Sequence, residues 1–200
     1  NLRCREARAR EDRDELLARL ESLSQLLEAR RQLEVSRAAH QAQVPVDPVS
    51  GLATKGYLDT RAEQDLSLAR RYQTDTSAMV IELDRYDELL TRYGAHVVQL
   101  INRKLASILT TRVRKEDTVA EVAPGRFAVL SLNTDIDECC AFALRLQQAI
   151  EKVVLTYREE RIRISITAGL ASSGEVGAGS ADRLTALAVE RVKAGQAAGG

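Results

Sequence analysis

Thr118-Val119-Ala120-Glu121-Val122, then Pro124-Gly125, then Phe127-Ala128-Val129-Leu130-Ser131-Leu132, is two strand-forming runs around a turn dipeptide. The runs predict a β-hairpin, and Pro-Gly favours a type II turn in which glycine supplies the positive φ. Working outward, Met79 to Leu83 is an apolar run suited to a buried strand. Ile162, Ile164 and Ile166 alternate with Arg163, Ser165 and Thr167, which predicts a strand over Ile162 to Leu170 with one wet face. Between these runs lie helical patterns at Thr54 to Tyr72, Val97 to Thr111, Asp135 to Val154 and Ala181 to Lys193. Val98, Ile101, Leu105 and Ile108 share one face of the second. Helix and strand alternate around one hairpin, which implies an α/β (α+β) sandwich with a mixed central sheet flanked by helices. About 150 residues suffice for a single core.

The N-terminal part has another texture. Residues 1–43 hold nine arginines and eight acidic residues with no glycine or proline, the composition of a long helix. Leu16, Leu20, Leu23 and Leu27 form a short heptad-like stripe, while Glu6, Ala9 and Arg13 upstream do not continue it. Two readings stay open: a coiled coil that makes a homodimer, or a single helix folded back on its own domain. Val44-Pro45-Val46-Asp47-Pro48 ends the helix, because proline stops helices and biases its predecessor to extended conformations. The division is therefore residues 1–43, a signalling helix, and residues 44–200, a globular domain.

Composition removes several classes. The 29 basic and 29 acidic side chains cancel, so the charge excess of a nucleic-acid binder is missing. At 44% hydrophobic, the chain is not of disordered type. Its longest apolar run is Cys139 to Leu144, far short of a membrane span. A start at Asn1 reads as a piece of something longer, with no signal-peptide pattern. Arg3, Arg5, Arg8 and Arg10 read as a solvated helix face, or as a cluster following a membrane anchor; Glu6 and Glu11 between them weaken the second reading. Cys4 is distant from the adjacent Cys139 and Cys140, so neither a disulfide framework nor a zinc motif is formed, which fits a reducing, cytoplasmic compartment. His40 and His96 have no metal-type neighbours, and Gly174 to Gly179 lacks the Lys and Ser/Thr of a phosphate loop.

Several separated stretches carry a resemblance. They are Asp47-Pro48-Val49-Ser50-Gly51-Leu52, Ile81-Glu82-Leu83-Asp84-Arg85-Tyr86, Tyr93-Gly94, and Ile166-Thr167-Ala168-Gly169-Leu170-Ala171. In this order they resemble a GGDEF domain, the family of diguanylate cyclases that condense two GTP into cyclic di-GMP. The resemblance runs from Asp47 to Gly200, and the preceding helix is similar to those that join such domains to upstream sensors. Ala123-Pro124-Gly125-Arg126-Phe127 stands in the place of the signature.

Such a reaction needs Mg²⁺ on carboxylate oxygens and close positioning of two triphosphates. Measured against that, the resemblance implies loss. The metal-binding aspartate aligns with Glu82 and the signature carboxylate with Arg126, a fixed cation. Ala123 and Pro124 replace glycines that let a nucleotide approach, and Gly125 is a further degenerate position of the signature. Guanine-reading positions align with Leu90 and Gln99, and phosphate-facing lysines with Asp87 and Gln196. The expectation is no catalytic residue, no metal and no turnover, with Arg126 either reaching Glu82 across adjacent strands in the metal's place or, like Glu82, pointing into solvent.

One element of the family pattern survives. Arg114-Lys115-Glu116-Asp117 is an R-x-x-D, and Asp117 precedes Ala123 by the family's six-residue spacing. In the family this is the inhibitory site, the I-site, which binds a cyclic di-GMP dimer. Arg145 falls where a second liganding arginine would come from. The resemblance thus implies a regulatory, cytoplasmic cyclic di-GMP receptor dependent on Arg114, Asp117 and Arg145. The alternatives are a ligand-free dimerisation module, in which Arg114 and Asp117 are an ordinary exposed loop pair with Asp117 capping the turn into the strand, and an atypical cyclase.

Overall fold

The computed structural model describes residue 19, residues 45–47, 50–176 and 180–198. Of the helix expected over residues 1–43, only Arg19 falls among the described residues, and it is helical. The glycine-rich stretch at 174–179 is described only as far as Val176. The chain divides into two compact units, Asn1–Gln41 and Ala42–Gly200, and every element named below belongs to the second.

The order is α1 (Lys55–Tyr72), β1 (Thr76–Leu83), α2 (Tyr86–Arg112), β2 (Thr118–Ala123), β3 (Arg126–Leu132), α3 (Ile136–Glu151), β4 (Val154–Tyr157), β5 (Glu160–Arg163), β6 (Ile166–Ser172), the short α4 (Ser173–Val176) and α5 (Ala181–Ala197). Four strands form one sheet in the order β2-β3-β1-β6, and β4-β5 form a separate pair. The strands of the main sheet pair antiparallel throughout. The mixed character expected from the alternation is confined to one parallel bridge, Ala53 to Ala120. The α+β architecture expected from the pattern is the one observed.

Strand period explains the layers. Met79, Ile81 and Leu83 point to one face of β1 and pack with Ile101, Leu105 and Leu109 of α2 and Leu146 and Ile150 of α3. Ala78 and Val80 point to the other, toward Leu58, Ala62 and Leu66 of α1 and Leu184, Ala188 and Val192 of α5. β1 is apolar on both faces because both are covered, which is why it reads as an unbroken run. Helix ends follow from local chemistry. The Thr54 hydroxyl accepts from the Tyr57 N–H at 3.4 Å and opens α1. The α5 N-terminus takes its cap from another helix: Ala181 N–H donates to Glu63 Oε1 at 3.1 Å.

Three boundaries differ from the sequence expectation. α2 begins at Tyr86 instead of Val97, with a break at Gly94 (φ 81°, ψ 167°) that interrupts its periodicity. α3 ends at Glu151, and residues Val154 to Tyr157 form a strand that the pattern does not signal. Its turn to β5 is Arg158-Glu159, both at positive φ (47° and 68°), without the Asn or Gly that marks such turns. The strand expected over Ile162 to Leu170 is two strands, because the chain leaves the β4-β5 pair at Arg163 and joins the main sheet at Ile166. In between, Ser165 O accepts from Asp84 N–H at 3.1 Å.

Gly169 fixes the height of α5 above the sheet. A Cβ there would lie 2.0 Å from Ala188 O and 2.5 Å from Val192 N, both backbone atoms. Gly169→Ala is expected to cost about 1–3 kcal/mol by forcing α5 away from β6. Urea unfolding measures it, and an unchanged midpoint would show that the helix lifts freely.

Candidate functional site

The first region lies where β1, β3 and the start of α2 meet. Glu82 and Arg126 are direct partners in the β1-β3 register. Arg126 Nη2 donates to Glu82 Oε1 at 3.0 Å and Oε2 at 3.1 Å, so both carboxylate oxygens accept from one cation. The side chains are 30% and 23% exposed, so the pair is neither a loose surface contact nor fully dry. Arg126 Nε is buried and makes no hydrogen bond.

The turn between β2 and β3 sits tightly beneath an aromatic ring. Gly125 has φ +72°, and a Cβ on it would lie 2.3 Å from Tyr86 Cδ2. Its carbonyl accepts from Leu83 N–H at 2.8 Å, which seats the turn against the end of β1. Asp84 Oδ1 accepts from Thr167 Oγ1 at 2.6 Å, so the second acid of this strand end is held by β6. Ala123 is half-buried and Pro124 exposed. Asp87, Gln99 and Gln196 are exposed, as is Leu90 at 37%. None of these four bonds to Glu82 or Arg126 among the described residues. Those residues also hold no group of three or more His, Cys, Asp or Glu placed to share a metal ion.

The second region is a cavity of about 320 Å³ between the end of α2, the hairpin and α3. It collects all three residues singled out for a ligand, Arg114, Asp117 and Arg145. Val113 is extended (φ −81°, ψ 155°), which ends α2 and aims the following turn at the cavity. That turn closes on itself. Arg114 N–H donates to Asp117 Oδ2 at 3.2 Å, and Asp117 N–H donates to Arg114 O at 3.2 Å. The Asp117 carboxylate is thereby fixed by backbone, and among the described residues the Arg114 guanidinium makes no ion pair. Its Oδ1 is buried and accepts no hydrogen bond. Arg145 lies over the Phe142 ring, with 6.0 Å to the centroid.

Burial pushes the Asp117 carboxyl above its ordinary value of 3.8, against the opposing pull of the Arg114 N–H and guanidinium and of the nearby Ser131 hydroxyl. Burial also pushes the Cys139 thiol up to about 11, which keeps it protonated at neutral pH. Sequence reading passed over Arg112, Ser131 and Phe142, which line the same cavity. The i, i+3 spacing of Phe142 and Arg145 on one helix was the available signal for the ring.

Two consequences can be measured. A double-mutant cycle on Glu82→Gln and Arg126→Met should return a coupling of about 0.5–1 kcal/mol in urea unfolding, the range of a partly exposed pair. Zero coupling would show that the pair does not form in solution. For Asp117, a folded-state pKa raised above 3.8 means that its contribution is fully present below that value. The contribution is lost as pH rises through the folded pKa. Asp117→Asn keeps an acceptor for Arg114 N–H but cannot ionise. Its stability relative to the parent should therefore rise between about pH 3 and pH 7. A constant difference across that range would remove the argument.

The family model described as "Diguanylate cyclase, GGDEF domain" matches residues 44–200. Diguanylate cyclase DosC of Escherichia coli strain K12 is 26% identical over 153 residues, 75% of this chain and 32% of the relative. Diguanylate cyclase DgcZ of the same organism is 25% identical over 125 residues, 62% of this chain and 42% of the relative. The chain thus spans less than half the length of these curated relatives. The GGDEF domain of FimX from Pseudomonas aeruginosa superposes with a TM-score of 0.73 at 19% identity, covering 78% of this chain and 96% of that one. The coiled coil and GGDEF domain of DgcB from Caulobacter crescentus, solved in complex with c-di-GMP, gives 0.72 at 18% identity over 92% of this chain and 95% of that one. At these identities the superpositions speak for the fold alone; with the family match over residues 44–200, they establish that the chain belongs to the GGDEF domain family.

Proposed function

We propose that this chain is a catalytically inactive GGDEF domain that acts in cyclic di-GMP signalling as a receptor, binding the dinucleotide through Arg114, Asp117 and Arg145. The observation that carries the reading is their convergence on one cavity, with an unpartnered buried oxygen of Asp117 among them. Arginine forks suit phosphate and the guanine edge, and a carboxylate oxygen without a donor suits guanine N–H groups.

The other region supports the loss of turnover. Mg²⁺ takes oxygen ligands in near-octahedral geometry, and the signature position offers it a cation. Both Glu82 oxygens already accept from Arg126, so this donor set does not suit the metal. Pro124 and the Tyr86 ring over Gly125 occupy the turn where a backbone would have to approach a triphosphate. In this reading residues 1–43 pair two copies and connect the domain to an upstream sensor, and the domain works in the cytoplasm. No helix among the described residues is long and apolar enough to cross a membrane.

Calorimetry with cyclic di-GMP tests the receptor. The parent should bind, and Arg114→Ala should weaken binding by about tenfold or more, the loss of a charge-assisted fork. No heat from the parent would end this reading. Incubation with GTP and Mg²⁺ should yield no cyclic di-GMP, and any product would restore the enzyme. Light scattering on the intact chain should report a dimer; a monomer at all concentrations would remove the role given to residues 1–43.

A further inference from the structure

We infer that Arg112 is a third phosphate-binding arginine of the same cavity, so that the site is built for a ligand with two phosphates. The inference rests on the receptor reading above and assigns it a residue outside the R-x-x-D pattern.

Arg112 closes the last turn of α2, and its side chain lines the cavity with Arg114 and Arg145. The extended Val113 ends the helix between Arg112 and Arg114, and both arginines line the same cavity. Three arginines, one at the end of α2, one in the turn after it and one on α3, therefore line one space. Asp117 and Glu138 line that space too. Yet none of the three arginines makes an ion pair among the described residues, where five other cation–carboxylate pairs do form. Asp117 is engaged with backbone instead. Like charges gathered around one cavity repel unless an anion shares it. Two carboxylates against three guanidinium groups leave the cavity in positive excess. A dianion bound at the arginines reverses that excess and lets each phosphate meet a fork.

Arg112 also sits where a cation favours the helix dipole. That role would change the stability of α2 and leave ligand affinity untouched, so affinity separates the two. The experiment is calorimetry with cyclic di-GMP on the intact chain. It compares the parent with Arg112→Ala, Arg112→Gln and Lys115→Ala. Lys115 is an exposed neighbour that does not line the cavity, and its loss changes net charge equally. Both Arg112 variants should bind about tenfold more weakly or worse. Lys115→Ala should stay within about a factor of two of the parent, as expected of an exposed charge.

Arg112 variants that bind like the parent overturn the inference. So does a Lys115→Ala loss as large as theirs, because the effect would then be net charge. If Arg114→Ala loses affinity while the Arg112 variants do not, the receptor stands and this assignment alone falls. A parent without heat removes the receptor and the assignment together.

Discussion

The antiparallel register of β1 on β3 is the constraint from which both regions follow. It sets Glu82 opposite Arg126 at one end of the pair and Ser77 opposite Ser131 at the other. At the first end lies the Pro124-Gly125 turn, seated under Tyr86. At the second, β3 and the turn after it deliver Ser131 and Thr134 to the wall of the arginine cavity. A slip of one residue would turn every side chain of β1 to the opposite face. Met79, Ile81 and Leu83 would leave the α2-α3 layer for the α1-α5 layer, where alanines leave no room for them. Packing on two unequal faces therefore holds the register, and the register holds the sites.

Charge is handled differently in the two regions, and the contrast is physical. Arg126 is paired: its Nη2 donates to both oxygens of a half-buried carboxylate in register with it, while its Nε stays without a partner among the described residues. Arg114 and Arg145 make no ion pair among the described residues, since the turn uses the Asp117 carboxylate for the Arg114 N–H and Arg145 lies over the Phe142 ring. A paired cation neutralises its surroundings and attracts little. An unpaired one beside a buried, unbonded acceptor is a place where a polar ligand gains on both counts.

Much of this was legible in the chain itself. The hairpin over 118–132 followed from alternation and Pro-Gly, and the Glu82–Arg126 contact from two replaced residues on strands expected to adjoin. Arg114, Asp117 and Arg145 were read from spacing within the family pattern. What escaped had no local signal. β4 and β5 join through Arg158-Glu159, whose positive φ values no residue type there announces. Residues 86 to 93 belong to a helix broken at Gly94, so their periodicity is too short to register. The Tyr86 ring over Gly125 and the place of Arg112 in the cavity arise from elements meeting in space, and sequence neighbours say nothing of such meetings.

Strand order has a further consequence, for the way the chain reaches this state. β1 leads the sheet in sequence but lies inside it, between two partners made later. Arg126 meets Glu82 across 44 residues, and Ser173 meets the Thr76 N–H across 97. Loops of that length must close before the contacts that reward closing can form, which slows folding. A chain emerging from the ribosome therefore carries β1 with the edge that faces β6 unpaired until nearly the whole domain has been made. The helices α1, α2 and α3 all appear before β6, and they are what can shield that strand while it waits.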